Sequence, residues 1–406
     1  MSIILPRAIC SSWLKPVSTQ RLRTRQSRLQ SLIPWPWLVL PDRSRRDSAR
    51  GYSTKSIPAT SSPHFQKMSR AKGDSEGKKQ PALARPSSSV ILVSPKNEIL
   101  LLHRVKTSTS FASAHVFPGG NLSRQDGPCP AVGDLSRHED GPHYRRAAIR
   151  ELFEESGILL AKDGSSGQML VVNEATRDQG RKLIHQNKVT FDEWLKQQHP
   201  NAEPDTDQLI PFSRWVTPTT NPKRYTTQMY IYFMPLPVNA DKKLLNELPK
   251  EGEREEIQVP SSDGGIEVTE AQFLPAAEWL RRAQSGEIIL FPPQFLLLHL
   301  VSGFLDNEPR SGISVEEMEK RRAGLVEFVH SGSPPWTHKC ISPKMMKVME
   351  DGRAVLALHD PGLELKGSNR RGESEYVVLV RFTKGTAREV TVAWKKDIFK
   401  EERSKI

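Results

Sequence analysis

The chain has 406 residues, 36% of them hydrophobic, enough to bury one large core or two modest ones. Its net charge of +12 divides unevenly: residues 1–56 hold 11 Lys or Arg against 2 acidic residues, which leaves 48 basic and 45 acidic residues, or +3, for everything after. That nearly neutral remainder has no basic stripe interleaved with aromatics, which argues against nucleic acid as a partner, and Cys10, Cys129 and Cys340 are too isolated for a disulfide framework or a zinc site.

At the N-terminus, Arg7, Lys15, Arg21, Arg23, Arg25 and Arg28 precede the first acidic residue, Asp42, among many Ser and Thr. This is the composition of a transit peptide over residues 1–56, with the mitochondrial matrix as the expected address, and Arg50-Gly51-Tyr52-Ser53-Thr54 resembles a processing site. The apolar run Leu32 to Leu40 is short and broken by Pro34 and Pro36, so no transmembrane segment is expected there. Residues 57–84, polar and rich in Ser, Lys and Gly, have linker composition. At the other end, within a tail of residues 401–406, Ser404-Lys405-Ile406 resembles a Ser-Lys-Leu peroxisomal signal and gives an alternative or second address.

The fold is expected to begin at about residue 85. Ser89 to Ser94 and Glu98 to Arg104 are apolar runs separated by Pro95-Lys96-Asn97, a hairpin pattern. His115 to Phe117 enters a Pro-Gly-Gly turn, and the spacing predicts a helix from Pro142 to Ser156 with Pro in its first turn and Gly157 as its left-handed C-terminal residue. Residues 174–198 have a helical pattern with a polar break near Asn187, a lid or side wall. Tyr225 to Met234 and Ile266 to Leu274 follow as strands, then helices from Pro275 to Ser285 and Phe295 to Phe304. Beyond residue 306, Val315 to His330 is helical, and Arg353 to Leu358, Glu375 to Phe382 and Arg388 to Trp394 read as strands of a small β-rich extension over 307–400, with alternation in the last two. The order fits an α/β/α sandwich around a mixed sheet. The extension could cover a sheet edge, close a cleft or make a homo-oligomer interface, and the pattern does not choose among these.

On the 142–156 helix, Glu151 and Glu155 are four residues apart and Glu154 is three from Glu151, so all three share a face. Like charges at that spacing repel, and the grouping makes most sense around a hard divalent cation, Mg²⁺ or Mn²⁺. Arg150 can hold Glu154 by an ion pair.

The run Arg150-Glu151-Leu152-Phe153-Glu154-Glu155-Ser156-Gly157-Ile158 resembles the second half of the Nudix box at every fixed position. The family's first Gly and its intermediate Glu would fall on Ser136 and Pro142, so Gly120 is taken as the first Gly, followed by an insertion over about 121–141. Ala114 to Gly120, Trp215-Val216-Thr217-Pro218, Arg224 to Thr227 and Phe291 to Phe295 are similar to the acyl-coenzyme A diphosphatase branch of that family. The resemblance covers about residues 88–300 and implies a Nudix hydrolase domain over 85–306. It also implies hydrolysis of the pyrophosphate bond of coenzyme A or its thioesters, giving 3',5'-ADP and a phosphopantetheine product.

In that chemistry Glu151, Glu154 and Glu155 are expected to bind metal, with Glu154 and Glu155 also catalytic; Arg150 and Gly157 support them. Glu267 and Glu270 are candidate proton acceptors, and Gly119, Gly120, Arg104 and Arg224 are candidates for phosphate or substrate contact. Trp215, Tyr225, Tyr230 and Tyr232 are read as core aromatics before stacking partners, and His115 and His299 as structural. Two other readings stand beside this one: hydrolysis of another nucleoside diphosphate derivative, such as ADP-ribose or NADH, and a nucleotide-binding protein without catalysis.

Overall fold

The computed structural model describes residues 80–105, 113–236, 268–306, 314–383 and 385–403. The segment read as a transit peptide, residues 57–79 of the segment read as a linker, Glu267 and the Ser404-Lys405-Ile406 end lie outside the described residues.

In chain order the elements are β1 (Ala84–Val93), β2 (Ile99–Arg104), β3 (His115–Val116), β4 (Gly119–Asn121), α1 (Pro142–Ser156), β5 (Ala161–Asp163), α2 (Glu174–His185), α3 (Phe191–Gln198), β6 (Ala202–Pro204), β7 (Ile210–Val216), β8 (Arg224–Phe233), β9 (Val268–Leu274), α4 (Ala276–Gln284), α5 (Pro292–Leu305), α6 (Val315–His330), β10 (Cys340–Ile341), β11 (Lys344–Val348), β12 (Ala354–Leu358), β13 (Glu373–Thr383), β14 (Thr386–Trp394) and α7 (Lys395–Arg403). No helix among the described residues is long and apolar enough to cross a membrane.

The main sheet is mixed, in the order β10-β7-β8-β1-β2-β3, with β4 also on β1 and β9 also on β2. At its centre β1 and β8 run parallel over ten residue pairs, from Ala84↔Arg224 to Val93↔Phe233. Successive residues Val90 to Val93 are all fully buried, so both faces of β1 are covered, as a central strand in a three-layer α/β fold requires. α1 packs on β1 and β4. α4 is tied to β2 by Trp279, whose Nε1 donates to the Ile99 carbonyl at 2.9 Å. This is the expected α/β class.

Residues 174–198 form two helices, because Asn187 takes a left-handed φ of 54° and Thr190 with Glu193 makes a reciprocal capping box that starts α3. They buttress α1: Trp194 stacks on Phe153 at 4.7 Å, and Arg181 Nε donates to the Glu154 carbonyl at 3.1 Å. Strand β7 was not anticipated, since Pro211, Ser213 and Arg214 spoil its alternation. The Nudix-like insertion also begins later than 121, as Asn121 still belongs to β4.

The extension is continuous with the main core rather than appended to it. One hydrophobic cluster joins Ile91 and Leu100 of the main sheet to Leu356 and Val378 of the second sheet, β11-β12-β13-β14. α5 is largely apolar, with His299 and Gly303 exposed, and packs against α4, α6, β13 and β14. β10 adds itself parallel to β7, Cys340↔Arg214 and Ile341↔Trp215, so the extension covers an edge of the main sheet. From α6, Arg322 donates to Asn97 Oδ1, the Met234 carbonyl and the Ser94 carbonyl at 2.7–2.8 Å, which fixes the helix to the β1–β2 turn and the end of β8.

Arg224, read from the sequence as a phosphate contact, is instead a strut. It is 2% exposed; Nε faces the Thr217 and Pro218 carbonyls, Nη1 the Ala82 carbonyl, and both Nη groups face the Glu364 carboxylate. Breaking a buried pair strands a charge, which costs about 3–5 kcal/mol. Arg224→Met should therefore destabilise the protein by about that much in chemical denaturation. The Arg224→Met/Glu364→Leu double variant should recover part of the loss, and equal losses in single and double variants would refute the coupling.

Candidate active site

α1 starts where Gly141 is extended and Pro142 fills N1, and ends where Gly157, at φ 74°, donates its N–H to the Phe153 carbonyl at 2.8 Å. Its inward face buries Tyr144, Ala148, Leu152 and Phe153, which leaves the carboxylates on the side facing the β4 turn. That turn needs its glycines. A Cβ on Gly119, whose φ is +151°, would lie 2.2 Å from the Ser88 carbonyl oxygen, and one on Gly120 would lie 2.4 Å from Glu151 Oε2.

The central element of the site is Arg150, 4% exposed. Its Nε and Nη2 bind Asp126 at 2.7 and 2.8 Å, its Nη1 binds Glu151 and Glu154 at 2.8 Å each, and Nη2 also donates to the Asn121 carbonyl at 3.1 Å. Asp126 was not singled out in the sequence. It fills the place of the missing intermediate Glu: Gly120 and Asp126 are six residues apart, the separation that Ser136 and Pro142 had in the rejected alignment. The extra residues therefore enter after Asp126, between about 127 and 141. A carboxylate six residues after a Gly-Gly turn is the signal that finds it.

Glu155 turns the other way, accepting the Gly119 N–H on Oε2 at 2.8 Å and pairing with Arg104 at 3.3 Å. Glu151, Glu155, Gly119, Gly120 and Arg104 line one cleft of about 360 Å³, so the structure brings these five predicted residues together. Glu154 does not line it; its carboxylate faces Arg150. Trp215, Tyr225, Thr227, Met229, Gln294 from the first turn of α5, and Pro343 of the extension also line this cleft. Among the described residues, Gln294 Oε1 is buried without a hydrogen-bond partner. Tyr230 and Tyr232 are core residues whose hydroxyls donate to Asp140 and Asp205.

Glu270 lies elsewhere. It borders a separate cavity with His103, His115 and Arg282, and is no part of the lining of the carboxylate cleft. His115 stacks on His103 at 4.7 Å, and burial lowers its pKa to about 4, consistent with a structural role.

Among the described residues, Asp126, Glu151, Glu154 and Glu155 face Arg104 and Arg150, a surplus of two negatives in a mostly buried place. Burial, reinforced by Glu154 and opposed by Arg150, raises the Glu151 pKa to about 7. Among the described residues no three His, Cys, Asp or Glu side chains already converge on one point. The charge surplus and the all-oxygen donor set nevertheless suit a hard divalent cation.

Residues 83–236 match the NUDIX domain. Among curated relatives, "Putative nudix hydrolase 7" of Caenorhabditis elegans is 26% identical over 223 residues, covering 55% of this chain and 62% of that protein. "Acyl-coenzyme A diphosphatase NUDT19" of Xenopus laevis is 27% identical over 253 residues, covering 51% of this chain and 60% of that protein. The chain thus spans about six-tenths of the length of these relatives. A solved NUDIX hydrolase from Alicyclobacillus acidocaldarius superposes with a TM-score of 0.40 at 21% identity, over 53% of this chain and 90% of that one.

Glu151 sets a pH signature. Its carboxyl titrates near 4.5 in the unfolded chain and near 7 in the native protein, so between those values the native state holds a proton that the unfolded state has lost. Stability in EDTA should then fall as pH rises from about 4.5 to about 7, by at most about 3 kcal/mol. Glu151→Gln should remove that fall, raising Tm at pH 8 and leaving it nearly unchanged at pH 4.5. A Tm difference independent of pH would contradict the assignment.

Proposed function

We propose that the NUDIX domain this chain carries over residues 83–236 makes it a divalent-metal-dependent hydrolase of the pyrophosphate bond in a nucleoside diphosphate derivative, with coenzyme A or an acyl-coenzyme A as substrate. The observation that carries the proposal is the cleft in which Glu151 and Glu155 face the Gly119-Gly120 turn with a local surplus of two negative charges. The similarity to the diphosphatase of Xenopus laevis supports the choice of substrate.

Glu151, Glu154 and Glu155 are the residues that would hold Mg²⁺ or Mn²⁺. When bound, the cation supplies charge neutralisation for the pyrophosphate oxygens, which otherwise repel an incoming nucleophile. The rest falls to the chain's own groups. Arg150 orients Glu151 and Glu154 from beneath, itself anchored by Asp126. The Gly119 N–H and Arg104 hold Glu155 in one orientation. The absence of a side chain at Gly120 lets phosphate approach the backbone. Arg104, on the cleft wall, offers charge to a phosphate oxygen. Water attacks one phosphorus, the bridging P–O bond breaks, and the products are 3',5'-ADP and (acyl-)phosphopantetheine.

The full chain, incubated with coenzyme A, acetyl-coenzyme A, ADP-ribose and NADH with and without Mg²⁺ or Mn²⁺, should release 3',5'-ADP from the first two only when metal is present, as identified by mass. Glu154→Gln and Glu155→Gln should each lower kcat by at least about 100-fold with an unchanged circular dichroism spectrum. Metal-dependent cleavage of ADP-ribose or NADH alone would keep the reaction and discard the substrate. Binding without turnover in any mixture would favour a nucleotide-binding protein.

A further inference from the structure

A second cavity, of about 850 Å³, adjoins the carboxylate cleft and shares Asn121 and Tyr225 with it. Its walls come from the two parts of the chain that the reaction leaves without a role. Val132, Arg137 and His138 belong to the insertion, and Leu363 and Glu364 to the C-terminal extension; Arg85 and Lys223, at the starts of β1 and β8, complete the floor.

Its charge is cationic. Arg85, Arg137, Lys223 and Arg224 face Asp134 and Glu364, a surplus of two positives. Both carboxylates are already engaged, Glu364 by Arg224 and Asp134 by the Ser136 N–H and hydroxyl at 2.9 and 2.8 Å. His138 adds no charge near pH 7, because burial lowers its pKa to about 4. Arg137 is positioned from within the insertion, donating to Cys129 Sγ at 3.3 Å and to the Pro130 carbonyl. Arg85 and Lys223 are exposed, and their side chains make no hydrogen bond or ion pair among the described residues. The rim is apolar: Leu83, Val132 and Leu363, among the most exposed large hydrophobic residues of the protein at 71%, 63% and 48%, all stand on it.

A basin with two surplus positive charges and an apolar rim, next to a pyrophosphate-cleaving site, matches a nucleoside bearing a phosphomonoester, which carries a charge of about −1.5 to −2 at pH 7. We propose that this basin binds the nucleoside half of the substrate and recognises a phosphate on it that is separate from the scissile pyrophosphate. Arg85, Arg137 and Lys223 hold that phosphate, and Leu83, Val132 and Leu363 lie against the base or ribose. The proposal rests on the coenzyme A reading and supplies its missing source of selectivity: coenzyme A has such a phosphate, and ADP-ribose and NADH do not.

The test compares coenzyme A with 3'-dephospho-coenzyme A, using the full chain with Mg²⁺, in the wild type and in the Arg85→Gln/Lys223→Gln variant. Both substituted positions are exposed, so folding should survive, and circular dichroism checks it. The wild type should prefer coenzyme A in kcat/KM by on the order of 10- to 100-fold, the range for loss of a charge-assisted contact. In the variant that ratio should fall towards one, with the loss on coenzyme A read mainly as a higher KM. Equal kcat/KM for the two substrates in the wild type, or an unchanged ratio in the variant, overturns the proposal. If the wild type cleaves neither substrate, calorimetric titration with adenosine 3',5'-bisphosphate and with AMP decides separately. Tighter binding of the bisphosphate that disappears in the variant upholds the basin while discarding the hydrolase reading, and equal binding of the two overturns the basin as well.

Discussion

The arrangement of the site depends on one buried guanidinium. Arg150 has a fixed planar fork of donors, and in this protein the fork is saturated by three carboxylates and a carbonyl drawn from β4, from the turn after it and from α1 itself. A single arginine cannot neutralise that many acids. The remaining negative charge is held in a partly desolvated place by geometry that the arginine enforces, and Glu151 shows the strain as a raised pKa. A site of this kind is assembled against its own electrostatics, with the balancing charge left to come from outside the chain.

Much of this was legible in the sequence because it is local. The bounds of α1 and α6 follow from capping and turn chemistry, and the facing of Glu151 and Glu155 follows from helical spacing. The Gly-Gly turn could be placed for the same reason. What was missed is non-local or masked by composition. Asp126 was overlooked because the insertion moves it 24 residues from Arg150, whereas the family pattern puts its acid close by. Arg224 stands before a long strand, where an exposed arginine is the usual expectation, and its partner Glu364 is 140 residues away. Strand β7 carries Pro211, and its pairing with β8 over Pro211 and Ser213 includes a register irregularity, so no alternating pattern announces it.

The insertion and the extension meet on the structure although 225 residues separate His138 from Leu363 in the chain. The insertion brings Arg137 and His138 beside Tyr225, and the extension brings Leu363 and Glu364 to the same place. The extension also contributes Pro343 to the cleft and β10 to the main sheet. The family-matched segment, residues 83–236, is therefore a part of the folding unit and not the whole of it. It lacks α4 and α5, which cover one face of the sheet, and the strand that covers the edge of β7.

The parallel pairing of β1 with β8, and of β7 with β10, has a consequence for how the chain reaches this state. Each joins segments separated by more than a hundred residues, so β1 lacks one of its neighbours until β8 exists and the edge of β7 stays open until β10 follows. Contacts of such long separation slow folding and lengthen the time that apolar strands remain uncovered. During synthesis the ribosome would release β7 more than a hundred residues before β10, so that edge would stay open over the whole interval.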